Sequence, residues 1–313
     1  MEVIILENPG GVENLKLADM PIPVPKKDEV LIKVKAISIN PVDIKTRTGK
    51  SLYDQLKNDP PIILGWDISG TVTETGSAVT QFKTGDEVFG MINFPGHGKA
   101  YAEYVAAPAS ELALKPANIS HEEAAAATLA ALTAWQALVT NAKVSKGQKV
   151  VIQAASGGVG HYAVQIAKYL GAYVIGTSSS ANKDFVLNLG ADEHIDYQKH
   201  KIDEVVNDAD FVLDPIGDKN IDPSLNAVKK GGTVITLPSF FKELIAEKSK
   251  EKGVNGYYFS VQSNGEDMKK LSELLANGII RSHVSRTFPL YKITEAHSQI
   301  ESGRTVGKIV VTI

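Results

Sequence analysis

The chain reads as an α/β protein with a β-rich part and a doubly wound parallel sheet, and three features of the sequence predict it. From Met1 to about Ser120, short strand-like runs alternate with turn signals. From Val150 onward, strands alternate with helices. At the start of that second region, Gln153-Ala154-Ala155-Ser156-Gly157-Gly158-Val159-Gly160 makes a glycine-rich turn between a strand and a helix.

Each element follows from its residues. Met1-Glu2-Val3-Ile4-Ile5-Leu6-Glu7 is a first strand, an apolar run with acids on both sides. Further strands are Val30–Val34, Gly70–Thr73, Asp86–Phe89 and Tyr101–Val105, the last with a period of two, while Pro21, Pro23 and Pro25 punctuate a connection. Near His121 the character turns to an Ala-rich helix. The strands Val150–Ile152, Val174–Ile175, Phe211–Leu213 and Val234–Leu237 then alternate with helices, which implies βαβ units and a parallel sheet covered on both faces. The helix after the first of them carries Val159, Tyr162, Ala163, Ile166, Ala167 and Leu170 at the spacing of one buried face and ends at Gly171. A helix over Asp267–Leu275, a short helix near Thr294–Glu301 and a strand over Lys308–Ile313 complete the chain. The tail is expected to rejoin the first domain, giving residues 1–122 and 279–313 as one discontinuous domain and 123–278 as the other. Gly256-Tyr257-Tyr258-Phe259 is a candidate edge strand for a homodimer.

Composition narrows the chemistry. The 313 residues are 43% hydrophobic and 22% charged, a globular balance that excludes disorder and collagen. Lys and Arg number 33 against 36 Asp and Glu, a net −3, which lacks the basic excess of a nucleic-acid binder. With no cysteine, disulfides, Cys-type zinc sites, iron–sulfur clusters and thiol nucleophiles all drop out. The apolar stretch Ala124–Val139 is interrupted by Thr128, Thr133 and Gln136 and falls short of a membrane span. A soluble, cytoplasmic protein with no nucleic-acid or membrane partner is expected.

The glycine turn is the strongest chemical signal. Read as G-x-G-x-x-G, it places Ala155, Gly157 and Gly160 at the glycine positions, so the first departs from the pattern. Gly157 lets backbone approach a pyrophosphate, Gly160 permits close helix–strand packing, and the helix N-terminus supplies N–H donors. After the second strand, Gly176-Thr177-Ser178-Ser179-Ser180-Ala181-Asn182-Lys183 holds no acid of the kind that binds a ribose 2′-OH. Hydroxyls and a cation there favour the 2′-phosphate of NADPH over NADH. The plainer alternative is a polar loop with an exposed lysine.

These pieces together resemble the medium-chain dehydrogenase/reductases, within them the zinc-free quinone oxidoreductase branch. The resemblance spans essentially the whole chain. It rests on Asn40-Pro41-Val42-Asp43 with Arg47 and Gly49, Gly65-Trp66-Asp67-Ile68-Ser69-Gly70, Gly85-Asp86-Glu87-Val88-Phe89-Gly90, Thr133-Ala134-Trp135, the glycine turn, Gly190-Ala191-Asp192, Gly231-Gly232 and Gly307-Lys308. It implies a GroES-like domain that holds substrate, a Rossmann domain that holds NADPH, and an active cleft between them. Zinc alcohol dehydrogenases of this family carry Cys, His and a second Cys or acid around the metal. The matching places here are Asn40, Trp66 and Leu129, so no metal site is expected.

Without a Lewis acid, hydride transfer needs an acceptor whose product anion is delocalised, which points to a quinone or an α,β-unsaturated carbonyl. The resemblance puts Asn40 at the nicotinamide end and makes Tyr53 a candidate oxyanion donor or proton source; a turn residue and a surface aromatic are the plainer readings. It assigns Thr133 to the nicotinamide or phosphates, Ser156, Gly157, Gly158, Val159 and Gly160 to the pyrophosphate, and Ser178 and Lys183 to the 2′-phosphate. Tyr197 falls near the adenosine end or is a strand-edge aromatic, and Lys308 matches the family's terminal Gly-Lys. Phe94, Trp66, Phe240 and Phe241 line an apolar acceptor site or pack in cores. Rival functions are an NADPH-binding structural or regulatory protein and, less favoured, an alcohol dehydrogenase.

Overall fold

The computed structural model describes residues 1–313. Sixteen strands form three sheets. They are β1 (Glu2–Leu6), β2 (Leu15–Asp19), β3 (Glu29–Ile39), β4 (Ile62–Ile63), β5 (Asp67–Thr75), β6 (Glu87–Met91), β7 (Tyr104–Pro108), β8 (Ala113–Leu114), β9 (Lys149–Ile152), β10 (Tyr173–Ser178), β11 (Glu193–Asp196), β12 (Ala209–Asp214), β13 (Val228–Thr236), β14 (Asn255–Tyr258), β15 (Val284–Pro289) and β16 (Lys308–Thr312). The chain divides into two compact units, residues 1–132 with 262–313, and residues 133–261.

Those boundaries differ from the expected 122/123 and 278/279, and packing explains the shift. The helix His121–Ala126, capped by Ser120 and Glu123, buries Ala125 and Ala126 against Ala36 and Val310 of the first unit's sheet. The helix Gly265–Ala276 also belongs to the first unit: Ser272 Oγ donates to Leu114 O at 2.8 Å, and a Cβ on Gly265 would stand 2.3 Å from Ser110 O.

In the first unit, seven strands run in the order β15-β16-β3-β5-β6-β8 with β7 also on β3, and β2-β1-β4 form a separate sheet. The tail strand β16 does pair with β3, antiparallel, with Ile309 opposite Ile39. On the other side of β3, Ile37 lies opposite Ile68 of β5. This register brings Lys308, Asn40 and Asp67 to the same end of three adjacent strands. One expected strand is shorter than its alternation suggests: pairing with β3 begins at Tyr104, while Tyr101 turns its ring into the core against Gly65, where a Cβ would stand 2.4 Å from the ring and the φ of +89° favours glycine.

The second unit is a parallel sheet in the order β11-β10-β9-β12-β13-β14. Counted from β9, that is 3-2-1-4-5-6, with the reversal of strand order between β9 and β12, where α/β sheets bind ligands beyond the strands' carboxyl ends. The helix Gly160–Tyr169 is buried from Gly160 to Ala167, on all sides rather than along one stripe, as the sheet's central connection must be. Gly171 ends it at φ +81°. The charged run forms the helix Lys242–Lys252, anchored by Ile245, and β14 lies at the sheet's edge. No helix is long and apolar enough to cross a membrane.

Candidate active site

In the first unit, β3 delivers Asn40 to the start of the helix Pro41–Arg47, with proline at the first helical position, where its missing N–H costs nothing. The Asn40 backbone N–H donates to Asp43 Oδ2 at 2.6 Å. Its carboxamide is held at both ends: Lys308 Nζ donates to Oδ1 at 2.5 Å, and Nδ2 donates to Asp67 Oδ2 at 2.7 Å. Lys308 also donates to Ile39 O at 3.1 Å and lies 3.9 Å from Asp67 Oδ2. Asp67 further accepts from Ser38 Oγ at 2.5 Å and from the Leu129 N–H at 2.9 Å. Lys308 is 3% exposed, and burial lowers its pKa against the opposing pull of Asp67 and Asp43.

A second buried set adjoins the first. Tyr101 Oη lies 2.9 Å from His297 Nε2, while Arg47 pairs with Glu301 at 2.5 Å and donates to Gly10 O at 3.1 Å. Burial pushes Asp43 up to about 7 and Tyr101 well above the usual phenol range. Burial, reinforced by the Arg47 charge, pulls His297 down to about 3, so this imidazole is neutral. In the neutral ring, whether Nε2 donates to the phenol or accepts from it depends on which ring nitrogen carries the proton.

These contacts revise two expectations. Lys308 is not presented to a cofactor; its ammonium is consumed inside the unit. Asn40 is likewise buried with both polar ends engaged, which makes it a strut rather than a free donor. Tyr53 is half-buried on the short helix Tyr53–Leu56, and its phenol is no member of these networks. Trp66 is fully buried, with its indole N–H donating to Gly96 O at 2.7 Å and Phe94 edge-on at 5.5 Å, so it packs a core.

In the second unit the glycine turn follows β9. Ala154 takes φ +47°, and the turn is pinned by the Ala155 N–H donating to Thr177 O at 2.8 Å and the Gly157 N–H donating to Ala154 O at 2.8 Å. A Cβ on Gly160 would stand 2.1 Å from Ala154 O, whereas one on Gly157 would meet the same oxygen at 3.2 Å. Gly160 therefore serves packing, and Gly157 is the residue at which bulk would obstruct an incoming group. Ser156, Gly157, Gly158 and Val159 remain partly exposed. Asn182 Nδ2 donates to Ser156 Oγ at 3.2 Å, tying the turn after β10 to the glycine turn.

Within that second turn, Lys183 and Ser180 are exposed and Ser179 is half-exposed, but Ser178 is buried, its hydroxyl 2.8 Å from His194 Nε2 and 3.0 Å from Ser179 O. The Ser178 hydroxyl is thus engaged within the unit, and the polar groups this turn leaves open are those of Ser179, Ser180 and Lys183. Tyr197 is 61% exposed, and Thr133 is nearly buried on the helix Leu129–Trp135. Phe240 is 85% exposed, with its ring 6.3 Å from Phe241.

At the ends of β12 and β13, Asp214 and Thr236 are register partners. Asp214 Oδ1 accepts the Ile216 and Gly217 N–H groups at 2.9 Å, while Asp214 Oδ2 and Thr236 Oγ1 are buried without partners. Orphaned polar atoms at the carboxyl edge of a parallel sheet, a glycine turn and an acid-free turn bearing Lys183 together fit a phosphorylated dinucleotide.

Sequence reasoning passed over the roles of Asp67, Tyr101, His297, Asn182, His194 and Asp214. A detectable signal existed for His297, which shares the buried phase of its helix with Ile293 and Ala296.

Comparison with known proteins agrees with this geometry. Residues 26–117 match the family described as alcohol dehydrogenase GroES-like domain, and residues 189–311 match the one described as zinc-binding dehydrogenase. The chain is 35% identical to a 2-methylene-furan-3-one reductase of Solanum lycopersicum, with 96% of this chain and 76% of that protein covered. It is 35% identical to a chloroplastic NADPH-dependent alkenal/one oxidoreductase of Arabidopsis thaliana, with 99% and 79% covered. The solved structure of a quinone oxidoreductase from Coxiella burnetii superposes with a TM-score of 0.95 at 36% identity, covering 100% of this chain and 99% of that one. Zinc, which one family description implies, does not suit the residues here. The expected ligand places hold an engaged amide, a core indole and a leucine, and no group of three or more His, Asp or Glu side chains comes together elsewhere.

Proposed function

The chain belongs to the medium-chain dehydrogenase/reductase superfamily, in its quinone oxidoreductase branch, and on that premise we propose that it reduces a quinone or an α,β-unsaturated carbonyl with NADPH and without a metal. Relatives named as alkenal/one and quinone oxidoreductases support the acceptor class. The observation that carries the metal-free reading is the Asn40 carboxamide, clamped between Lys308 and Asp67 where zinc relatives place a ligand.

When bound, NADPH supplies a hydride. The chain's own part is to hold and to orient. Ser156 to Val159 offer the backbone approach for the pyrophosphate, with Gly160 keeping the helix start against Ala154. Ser179, Ser180 and Lys183 take the 2′-phosphate, and Tyr197 borders the adenosine. Thr133 is assigned to the nicotinamide or phosphate end. In the first unit, the paired networks fix the Ser38–Asp43 segment, and Tyr53 is the hydroxyl assigned to meet the oxygen on which negative charge develops. A homodimer joined through the edge of β14 belongs to the same proposal, supported by that strand's unpaired side.

NADPH oxidation measured against a panel of quinones and enones, with and without EDTA, tests the reading. Turnover unaffected by chelation is expected. Alcohol oxidation that requires added zinc would favour the dehydrogenase alternative, and nucleotide binding without turnover would favour a structural or regulatory role.

A further inference from the structure

The Ser178 hydroxyl has one proton and two acceptors in reach, His194 Nε2 at 2.8 Å and Ser179 O at 3.0 Å. It is 2% exposed, so water does not compete for it. With the imidazolium form of His194, Nε2–H must donate to Ser178 Oγ, and the serine proton then goes to Ser179 O. That locks the first residue of the turn that ends at Lys183. The charged groups acting on His194 are Asp196, two residues along β11, and Lys183 at the start of the next helix; Asp196 is shared with Lys199 at 3.7 Å. The turn itself carries no acid. His194 therefore sits behind a cationic turn as a second, conditional positive charge.

We propose that His194 is a specificity-determining residue for the cofactor: in its imidazolium form it strengthens the hold on a 2′-phosphate, so that discrimination for NADPH over NADH gains from a fall in pH. The inference rests on the reading that the Ser179–Lys183 turn takes the 2′-phosphate. In the free protein, burial holds His194 below the usual imidazole range, with Lys183 pushing the same way and Asp196 opposing. A phosphate dianion beside Lys183 reverses the balance of charge, so NADPH binding takes up a proton that NADH binding does not. The 2′-phosphate itself loses charge below a pH of about 6, which works in the opposite direction. Only a comparison with a variant isolates the histidine.

The test is equilibrium titration of NADPH and NADH, followed by nucleotide fluorescence, from pH 5.5 to 8.5 on the wild type, His194→Val and His194→Gln. Between pH 8 and pH 6, the wild-type NADPH/NADH affinity ratio is expected to rise several-fold relative to that of His194→Val; about tenfold is the limit for a one-unit rise in the imidazole pKa on binding, reached only below the free protein's own imidazole pKa. Calorimetry in two buffers of different ionisation enthalpy should show extra proton uptake with NADPH in the wild type alone. His194→Gln retains a hydrogen bond to Ser178 without the charge, and its ratio should track that of His194→Val. Ratios for wild type and both variants that superimpose at every pH would overturn the proposal, as would a Gln variant that follows the wild type. Lys183→Ala separates the two levels. If it weakens NADPH more than NADH while the His194 variants match the wild type, only this inference fails; if it weakens both nucleotides equally, the placement of the phosphate fails with it.

Discussion

Lys308→Met tests the buried clamp around Asn40 most directly. Methionine fills much of the same space but removes an ammonium that donates to Ile39 O and Asn40 Oδ1 and faces Asp67 at 3.9 Å. At that separation the attraction amounts to about 4 kcal/mol for an effective dielectric constant near 20. What the variant loses is larger in kind than a contact, because Asp67 is left as a buried carboxylate served only by the neutral donors Ser38, Asn40 and Leu129. Breaking one side of such a pair costs about 3–5 kcal/mol. Adding Asp67→Asn removes the stranded charge, so the double variant should recover at least about 1.5 kcal/mol relative to the sum of the single changes. Urea unfolding reports this if the signal is local. Trp66, buried in the first unit next to Asp67, provides it in a Trp135→Phe background, which also avoids assuming that the two units unfold together. A loss below about 1 kcal/mol for Lys308→Met, or strict additivity in the double variant, would refute the clamp as an energetic unit.

Other expectations follow from the same geometry. Burial holds Asp43 at about 7 in the folded state, so between its ordinary value and pH 7 the folded protein keeps a proton that the unfolded chain has lost, and stability falls as pH rises through that window. Asp43→Asn should flatten a decline on the order of 4 kcal/mol between pH 4 and 7.5; unfolding curves with equal pH slopes would count against it. Gly160→Ala, whose Cβ would meet Ala154 O at 2.1 Å, should destabilise the second unit by about 1–3 kcal/mol. Gly157→Val should instead weaken both nucleotides in a folded protein, read by direct binding and circular dichroism. Tyr53→Phe should lower kcat about 100-fold with NADPH affinity unchanged; an unaltered kcat would remove Tyr53 from the oxyanion role.

Local chemistry made some of the structure legible in advance. The alternation of Val150–Ile152, the glycine turn and the apolar stripe from Val159 to Leu170 is a local pattern, and β9, the turn and the helix Gly160–Tyr169 lie where it points. The return of Lys308–Ile313 to the first unit was readable because a lone apolar strand at the end of the chain needs a sheet to join. The unit boundaries were less so: whether Ala124 to Ala126 pack on one sheet or another is settled by Ala36 and Val310, which are distant in sequence. Tyr101 shows the same limit. Its period-two neighbourhood resembles a strand, and only the close approach to Gly65 and the bond to His297 divert it.

The roles assigned to Asn40 and Lys308 depended on something no local pattern contains, namely which polar groups neutralise one another. Lys308 and Asp67 are 241 positions apart, yet the pairing of β16 with β3 and of β3 with β5 leaves them at the two sides of one carboxamide. Taken together, an ammonium, an amide and a carboxylate carry no net charge, which is why all three tolerate burial that none would tolerate alone. An amide is suited to the middle position because it accepts from the cation at one end and donates to the anion at the other. A thiolate ligand at position 40 would do neither without upsetting that balance, and an ammonium held this close would repel a divalent ion. Three adjacent strands of the first unit's seven-stranded sheet, β16, β3 and β5, therefore hold a fixed internal cation whose charge is already matched.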